Sequence, residues 1–194
     1  MIKTGENGIF FSMQIVKLGA GSLREKSVPV EAVTDEIRKL AAEMLELMYK
    51  ADGVGLAAPQ VGKNIRMFVA DDGSGPGVFI NPQITGTSPE LADLEEGCLS
   101  VPGVYEKVTR PACVRIQAQD ENGRRRVVQA EGFLARILQH EYDHLDGVLF
   151  IDHIDPEKKA RIERRFRKKS EKQAAKGNQA AQKNRNESRS EKGN

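Results

Sequence analysis

Apolar residues recur every three to four positions between Pro29 and Gly53. Val33, Ile37, Leu40, Ala41, Met44, Leu45 and Met48 fall on one side, and charged residues fill the other. The spacing predicts an amphipathic helix, stopped by Gly53, whose methionines are core residues. The pattern then changes. Residues 66–72, 77–84, 112–119 and 124–130 are rich in β-branched side chains with partial alternation, which predicts strands separated by turn-forming breaks. Asp120-Glu121-Asn122-Gly123 joins the last two as a hairpin. Glu131 and Gly132 break into a second helix over about 133–146, and Gly147 ends it. VLFIDHI (148–154) reads as one more strand, and Pro156 opens a third helix with Ala160, Ile162 and Phe166 among many cations. Short strands with helices early and late predict an α+β domain rather than regular βαβ units. We expect antiparallel β-sheets and hairpins packed around the second helix, with an N-terminal helix and a C-terminal helix beside them.

That second helix carries the stretch QHEYDHLDG, with His140, Glu141 and His144 in the pattern H-E-x-x-H. Positions i and i+4 of a helix share a face, so both imidazoles can reach one metal ion and the glutamate can reach a water beside it. The bland alternative is a buried helix with two satisfied histidines. Catalytic sites of this kind take three protein ligands and leave one position open. A third histidine spaced as in H-E-x-x-H-x-x-G-x-x-H would fall at 150, which is Phe150. Glu163 suits a thermolysin-like site, yet it lies in a run of Arg and Lys and reads more simply as a surface ion pair. Cys98, in EEGCLSVPG, is the third candidate, because a thiolate is a strong ligand for zinc or ferrous iron. Gly97 and Pro102 suggest that it sits in a shaped loop. Cys113 lies in a predicted strand and reads as a small core residue. Nothing in the composition supports a disulfide between the two.

Charge is unevenly spread. From Pro156 onward 14 Lys and Arg stand against 5 Asp and Glu, a net of +9, and the chain total of +2 leaves −7 on everything before it. A run of charges on a helix is usually a solvated face, and a basic one also attracts phosphate backbones. From Glu171 the chain is polar, rich in Gly, Asn and Gln, and predicted disordered. Residues 1–12 show no periodicity and read as a disordered or loosely packed leader or extension, with Met13 a natural alternative start. The expected organisation is therefore a 1–12 extension, a catalytic metallohydrolase domain over 13–170 and a basic tail over 171–194. No apolar run approaches the ~18 residues of a membrane span, and no secretory signal is visible, so a cytoplasmic enzyme is expected.

Between the first helix and the first strand lies GVGLAAPQVG, Gly53 to Gly62. It lacks the Gly-Lys-Ser/Thr ending of a phosphate loop and the third glycine of a dinucleotide fingerprint. Its glycines allow a tight connection or a close backbone approach to a ligand. GVGLAAPQVG, EEGCLSVPG and QHEYDHLDG, in that order and spacing, resemble the three signature motifs of the peptide deformylases, over roughly residues 13–165. Ser22-Leu23-Arg24 also resembles that family's N-terminal Leu-Arg segment. The resemblance implies one divalent metal ion, Fe2+ first and Zn2+ or another ion second, held by Cys98, His140 and His144 with water as fourth ligand. It implies Glu141 as general base and acid, with Gln60 and the Leu99 N–H stabilising the developing oxyanion. The Gly55 backbone would hold an extended substrate peptide, and Val54, Glu96, Gly97 and Phe133 would lie at or near a methionine pocket. The substrates it implies are N-formylmethionyl nascent peptides, with ribosome contact through the basic C-terminal helix and tail.

Overall fold

A computed structural model describes residues 13–190, so the expectations for residues 1–12 and 191–194 lie outside the described residues. Three helices and seven strands follow in the order α1 (Asp35–Lys50), β1 (Gly55–Ala57), β2 (Met67–Ala70), β3 (Gly77–Thr87), β4 (Leu91–Gly97), β5 (Tyr105–Pro111), β6 (Cys113–Gln119), β7 (Arg125–Glu131), α2 (Gly132–Leu145) and α3 (Pro156–Ser190). Strands β1-β2-β3-β6-β7 form one sheet in that spatial order, and β4-β5 form a separate two-stranded one. Every pairing between these strands is antiparallel. The α+β expectation therefore holds, and the predicted hairpin is β6–β7.

The apolar spacing of α1 buries Ala41, Met44 and Met48 against Leu56, Met67, Val69 and Ile80 of β1, β2 and β3. The helix starts at Asp35 rather than near Pro29, after Thr34 in an extended conformation, and Asp52 leaves it with a left-handed φ of 53°. α2 places Ala135, Leu138 and Leu145 into a cluster with Phe68, Phe79, Val114 and Ile116. Other side chains of α2 reach the small sheet. Arg136 donates to Ala92 O (2.6 Å) and Val108 O (2.9 Å), and Gln139 to Pro111 O (3.0 Å). α2 is thus bound to one sheet by apolar packing and to the other by hydrogen bonds. A third cluster joins Leu23, Leu149, Phe150 and Ile151 to Phe166 of α3.

Two elements differ from the sequence pattern. VLFIDHI does not form a strand: Phe150–Asp152 make a 3₁₀ turn, and the Asp152 carboxylate accepts the Leu149 N–H at 2.7 Å. Its apolar side chains are buried from that turn, so burial without a pairing partner mimicked a strand in the sequence. α3 runs on to Ser190, where composition pointed to disorder from 171. Ala, Gln, Lys, Glu and Arg in that stretch all have high helix propensity.

Gly147 ends the α2 segment with φ 73°, and a Cβ there would lie 2.7 Å from the backbone O of Arg24. Neither the strain nor the backbone neighbour can yield cheaply. Gly147→Ala is expected to cost at least about 2 kcal/mol. Thermal unfolding should show the midpoint lowered by roughly 4–8 °C; an unchanged midpoint would refute this account of the turn.

Candidate active site

Three separate segments converge on one cleft of about 580 Å³. The first is the connection from α1 through β1 to a 3₁₀ turn at Ala58–Val61. There the Gln60 Oε1 accepts the Ala57 N–H at 2.7 Å, which aims its Nε2 at Cys98 Sγ (3.4 Å) and Ser100 Oγ (3.3 Å). The second is the loop after β4, where Cys98 is half-buried and the Leu99 N–H meets no acceptor among the described residues. The third is α2, whose 3.6-residue turn stacks His140 and His144 on one face, ring centroids 5.1 Å apart.

Cys98 Sγ and one ring nitrogen from each of His140 and His144 lie within 4.8 Å of one another, and Cys98 Sγ is 3.4 Å from His144 Nε2. Thiolate and imidazole donors at this spacing suit Zn2+ or Fe2+. Two buried polar atoms beside them, Glu141 Oε2 and His144 Nδ1, have no hydrogen-bond partner within the described residues. Buried polar atoms are rarely left so, and a cation with its water would face the glutamate oxygen. The donor set and the orphaned carboxylate oxygen both fit a metal centre.

Glu96 organises the cluster from behind. It is 4% exposed, and its carboxylate takes Arg110 Nε (2.7 Å), Arg110 Nη2 (3.0 Å), Arg136 Nη1 (2.8 Å) and His140 Nδ1 (2.9 Å). The bond to Nδ1 leaves His140 Nε2 for the cleft. Arg110 reaches on to Asp143 (2.7 Å), which also holds His153 at 2.7 Å. Burial alone would raise the Glu96 pKa, but hydrogen bonds from His140 and Arg110 outweigh it and hold the carboxyl well below the usual range. Among the described residues Glu141 has no such partners. Burial pushes its pKa up to about 7, with the nearby charges of Glu96 and Asp143 adding to the rise. Burial holds the His144 pKa well below that of a free imidazole, and repulsion from His140 adds to it. For His140, burial is outweighed by hydrogen bonds to Cys98 and Glu96, which favour the protonated ring.

The other sequence-derived candidates take up places in the same cleft. Val54 and Phe133 stand at it with 43% and 55% exposure, as does Tyr105 at 66%, which no local pattern singled out. A Cβ on Gly55 would meet Glu141 Oε1 at 2.3 Å, and one on Gly97 would meet the Tyr105 ring at 2.6 Å. Both glycines therefore keep space for neighbouring functional groups. Glu96 lines the cleft but directs its carboxylate at the arginines and His140. Glu163 lies apart from the cluster, pairing with Arg24 at 3.4 Å. Arg110, Arg136 and Asp143 were missed, because their partners are distant in sequence and a single cation or acid in a strand or helix carries no spacing signal.

Glu96→Gln keeps the shape but withdraws the charge shared by two buried guanidinium groups. A stability loss of about 3–5 kcal/mol is expected in urea unfolding, together with a 10–100-fold weaker hold on metal against a chelator. The folded pKa of Glu96 is depressed, so its contribution is complete above the ordinary carboxylate pKa and is lost as pH falls through the folded value. The gap between parent and variant should thus stay level from neutral pH down to about 5 and close only in stronger acid.

The polypeptide deformylase family model matches residues 12–160. The peptide deformylase of Treponema pallidum is 49% identical over 154 residues, covering 79% of this chain and 95% of its own. That of Rhodopseudomonas palustris is 48% identical over 162 residues, covering 80% and 93%. Among solved structures, peptide deformylase from Ehrlichia chaffeensis in complex with actinonin superposes with TM-score 0.78 at 39% identity, covering 81% of this chain and 96% of that one. The Thermotoga maritima enzyme gives 0.73 at 43% identity, covering 74% and 98%. With the three motifs folded into one cleft and this match across most of its length, the chain belongs to the peptide deformylases, metal-dependent hydrolases that remove the N-terminal formyl group from nascent polypeptides.

Proposed function

We propose that Cys98, His140 and His144 hold a single divalent cation, Fe2+ by preference, and that Glu141 is the general base and acid of deformylation. The observation that carries this reading is the approach of the three ligand atoms to within 4.8 Å beside a buried, unpartnered Glu141 oxygen. A divalent ion there supplies a Lewis acid that polarises a carbonyl and brings the pKa of water toward neutrality. Everything else comes from the protein. Glu141 accepts a proton from the attacking water and passes it to the leaving amine. Gln60 Nε2, already aimed at Cys98, and the unengaged Leu99 N–H donate to the developing oxyanion, and a donor of this kind is worth ~3–4 kcal/mol. The Gly55 backbone holds the extended peptide, with space secured by its missing side chain. Val54, Phe133 and Gly97 border the methionine side chain, and Glu96 shapes that pocket by fixing Arg136 and His140.

Formate release from a formyl-Met tripeptide tests this directly. Glu141→Ala is expected to lower kcat by about 10³-fold or more while Cys98, His140 and His144 still bind metal. A variant as fast as the parent would end the assignment. The parent's kcat/KM should fall on the acid side, because only the carboxylate form of Glu141 takes a proton. The limb should lie below pH 7, since a cation beside Glu141 lowers its raised pKa.

We further propose that the reaction takes place in the cytoplasm, against the ribosome. No helix of the described residues is long and apolar enough to cross a membrane. On α3, Arg161, Arg164, Arg165, Lys168, Lys169 and Lys172 line one shallow groove. Phe166 is the only aromatic residue beyond Pro156, which favours phosphate contact over base stacking. Ribosome co-sedimentation should weaken steeply from low to physiological salt and be lost on deleting residues 168–194. Binding indifferent to both would remove this contact from the account.

A further inference from the structure

The two groups assigned to the oxyanion sit on different loops, and the direct ties between those loops are long. Gln60 Nε2 reaches Ser100 Oγ at 3.3 Å and Cys98 Sγ at 3.4 Å. A third segment, residues 15–18, crosses both. Val16 N–H donates to Gln60 O at 2.9 Å, and Leu18 N–H donates to Ser100 O at 2.9 Å. Both bonds come from backbone N–H groups two residues apart, so this one segment joins the two loops. Between them, Lys17 Nζ donates to Leu99 O at 2.9 Å. Ile15 and Leu99 pack against one apolar cluster, and Val16, Leu18 and Cys98 against another.

Lys17 is exposed, lines the cleft and makes no ion pair among the described residues. Among the described residues its ammonium is engaged by the Leu99 carbonyl rather than by an acid. The Leu99 carbonyl it holds is one residue along from the Cys98–Leu99 amide, whose N–H has no acceptor among the described residues. Fixing that carbonyl restrains the peptide on which the free N–H is carried, and a charged donor makes the stronger bond.

We infer that residues 15–18 are a strap that sets the spacing of the two oxyanion donors, with Lys17 a positioning residue acting through Leu99. The inference rests on the assignment of Gln60 and Leu99 to the oxyanion. A tight ground-state complex does not need that spacing, whereas the transition state does. Loosening it should therefore appear in kcat and leave KM in place.

The test compares metal-loaded parent, Lys17→Met, Lys17→Arg and Gln60→Ala on a formyl-Met tripeptide amide, with amide hydrogen exchange on the same samples. Lys17→Met is expected to lower kcat roughly tenfold, short of the ~10²-fold that a 1 Å misplacement can cost. KM should stay within about twofold, and exchange should quicken in residues 98–101 while the rest of the chain is unaffected. Lys17→Arg should restore both. A raised KM with parental kcat would make Lys17 a substrate contact and overturn the strap. Parental kcat and KM in Lys17→Met would overturn it too, as would exchange quickened throughout the chain. Gln60→Ala separates the two levels: if it is slow while Lys17→Met is not, only the strap fails. If Gln60→Ala keeps the parental kcat, the oxyanion assignment fails and takes the strap with it.

Discussion

Glu96 brings a negative charge into the interior, and four hydrogen bonds from Arg110, Arg136 and His140 close on it. Those donors come from β5 and α2, while Glu96 itself is on β4. One carboxylate therefore fastens the small sheet to the metal-motif helix. Such a pair is not a source of stability by itself, since desolvating the charges costs about what their attraction returns. Its value is geometric. With both oxygens saturated, Glu96 has no freedom to rotate, and His140 Nδ1 is held 2.9 Å away with its other nitrogen turned to the cleft. Arg136 repeats the arrangement on the backbone, taking carbonyls from β4 and β5 together.

The residues in front of this node are less comfortable. Cys98, His140, His144 and Glu141 crowd into a small, largely buried volume, where loss of water raises the Glu141 pKa and lowers that of His144. Taking titratable groups out of water is costly. The arrangement persists because the surrounding structure is over-determined: apolar packing of α2 on the five-stranded sheet, the Glu96 node on the other sheet, and the segment at 15–18 across the loops. Much of the stability is generated at a distance from the site and spent within it.

How much of this can be read from the residues depends on the range of each interaction. The H-E-x-x-H pattern is local, so its register on α2 was legible from spacing alone. Strands β2, β3, β6 and β7 were legible as well, because Val69, Ile80, Val114 and Ile116 are buried and Val128 packs against the core from β7. β4 and β5 were not. Leu91-Ala-Asp-Leu-Glu-Glu-Gly and Tyr105-Glu-Lys-Val-Thr-Arg-Pro bury only Glu96, Val108 and Arg110, so there is no apolar alternation to detect. Their pairing is stabilised by contacts of α2 and by a buried ion network, both of which exist only in three dimensions. VLFIDHI failed in the opposite sense, since its burial is real but comes from a turn beneath α3. Glu96 was placed at the cleft from motif resemblance, yet its role as holder of His140 needed the arginines, which lie 14 and 40 residues away.

The deepest consequence of the node lies in the contrast between two buried carboxylates that both neighbour His140. Glu96 gathers both arginines and its pKa is driven down, while Glu141, one residue along α2 from His140, gathers none and is raised to about 7. The same chemical group is held ionised in one place and given a raised pKa in the other. Environment alone makes the division, and pairs pushed apart in this way mark which carboxylate is structural and which is reactive. An arginine placed against Glu141 would have lowered its pKa and made it a weaker base. By collecting the cations on the far side of His140, Glu96 leaves Glu141 with a raised pKa beside the cleft, which is what the general-base role proposed for it requires.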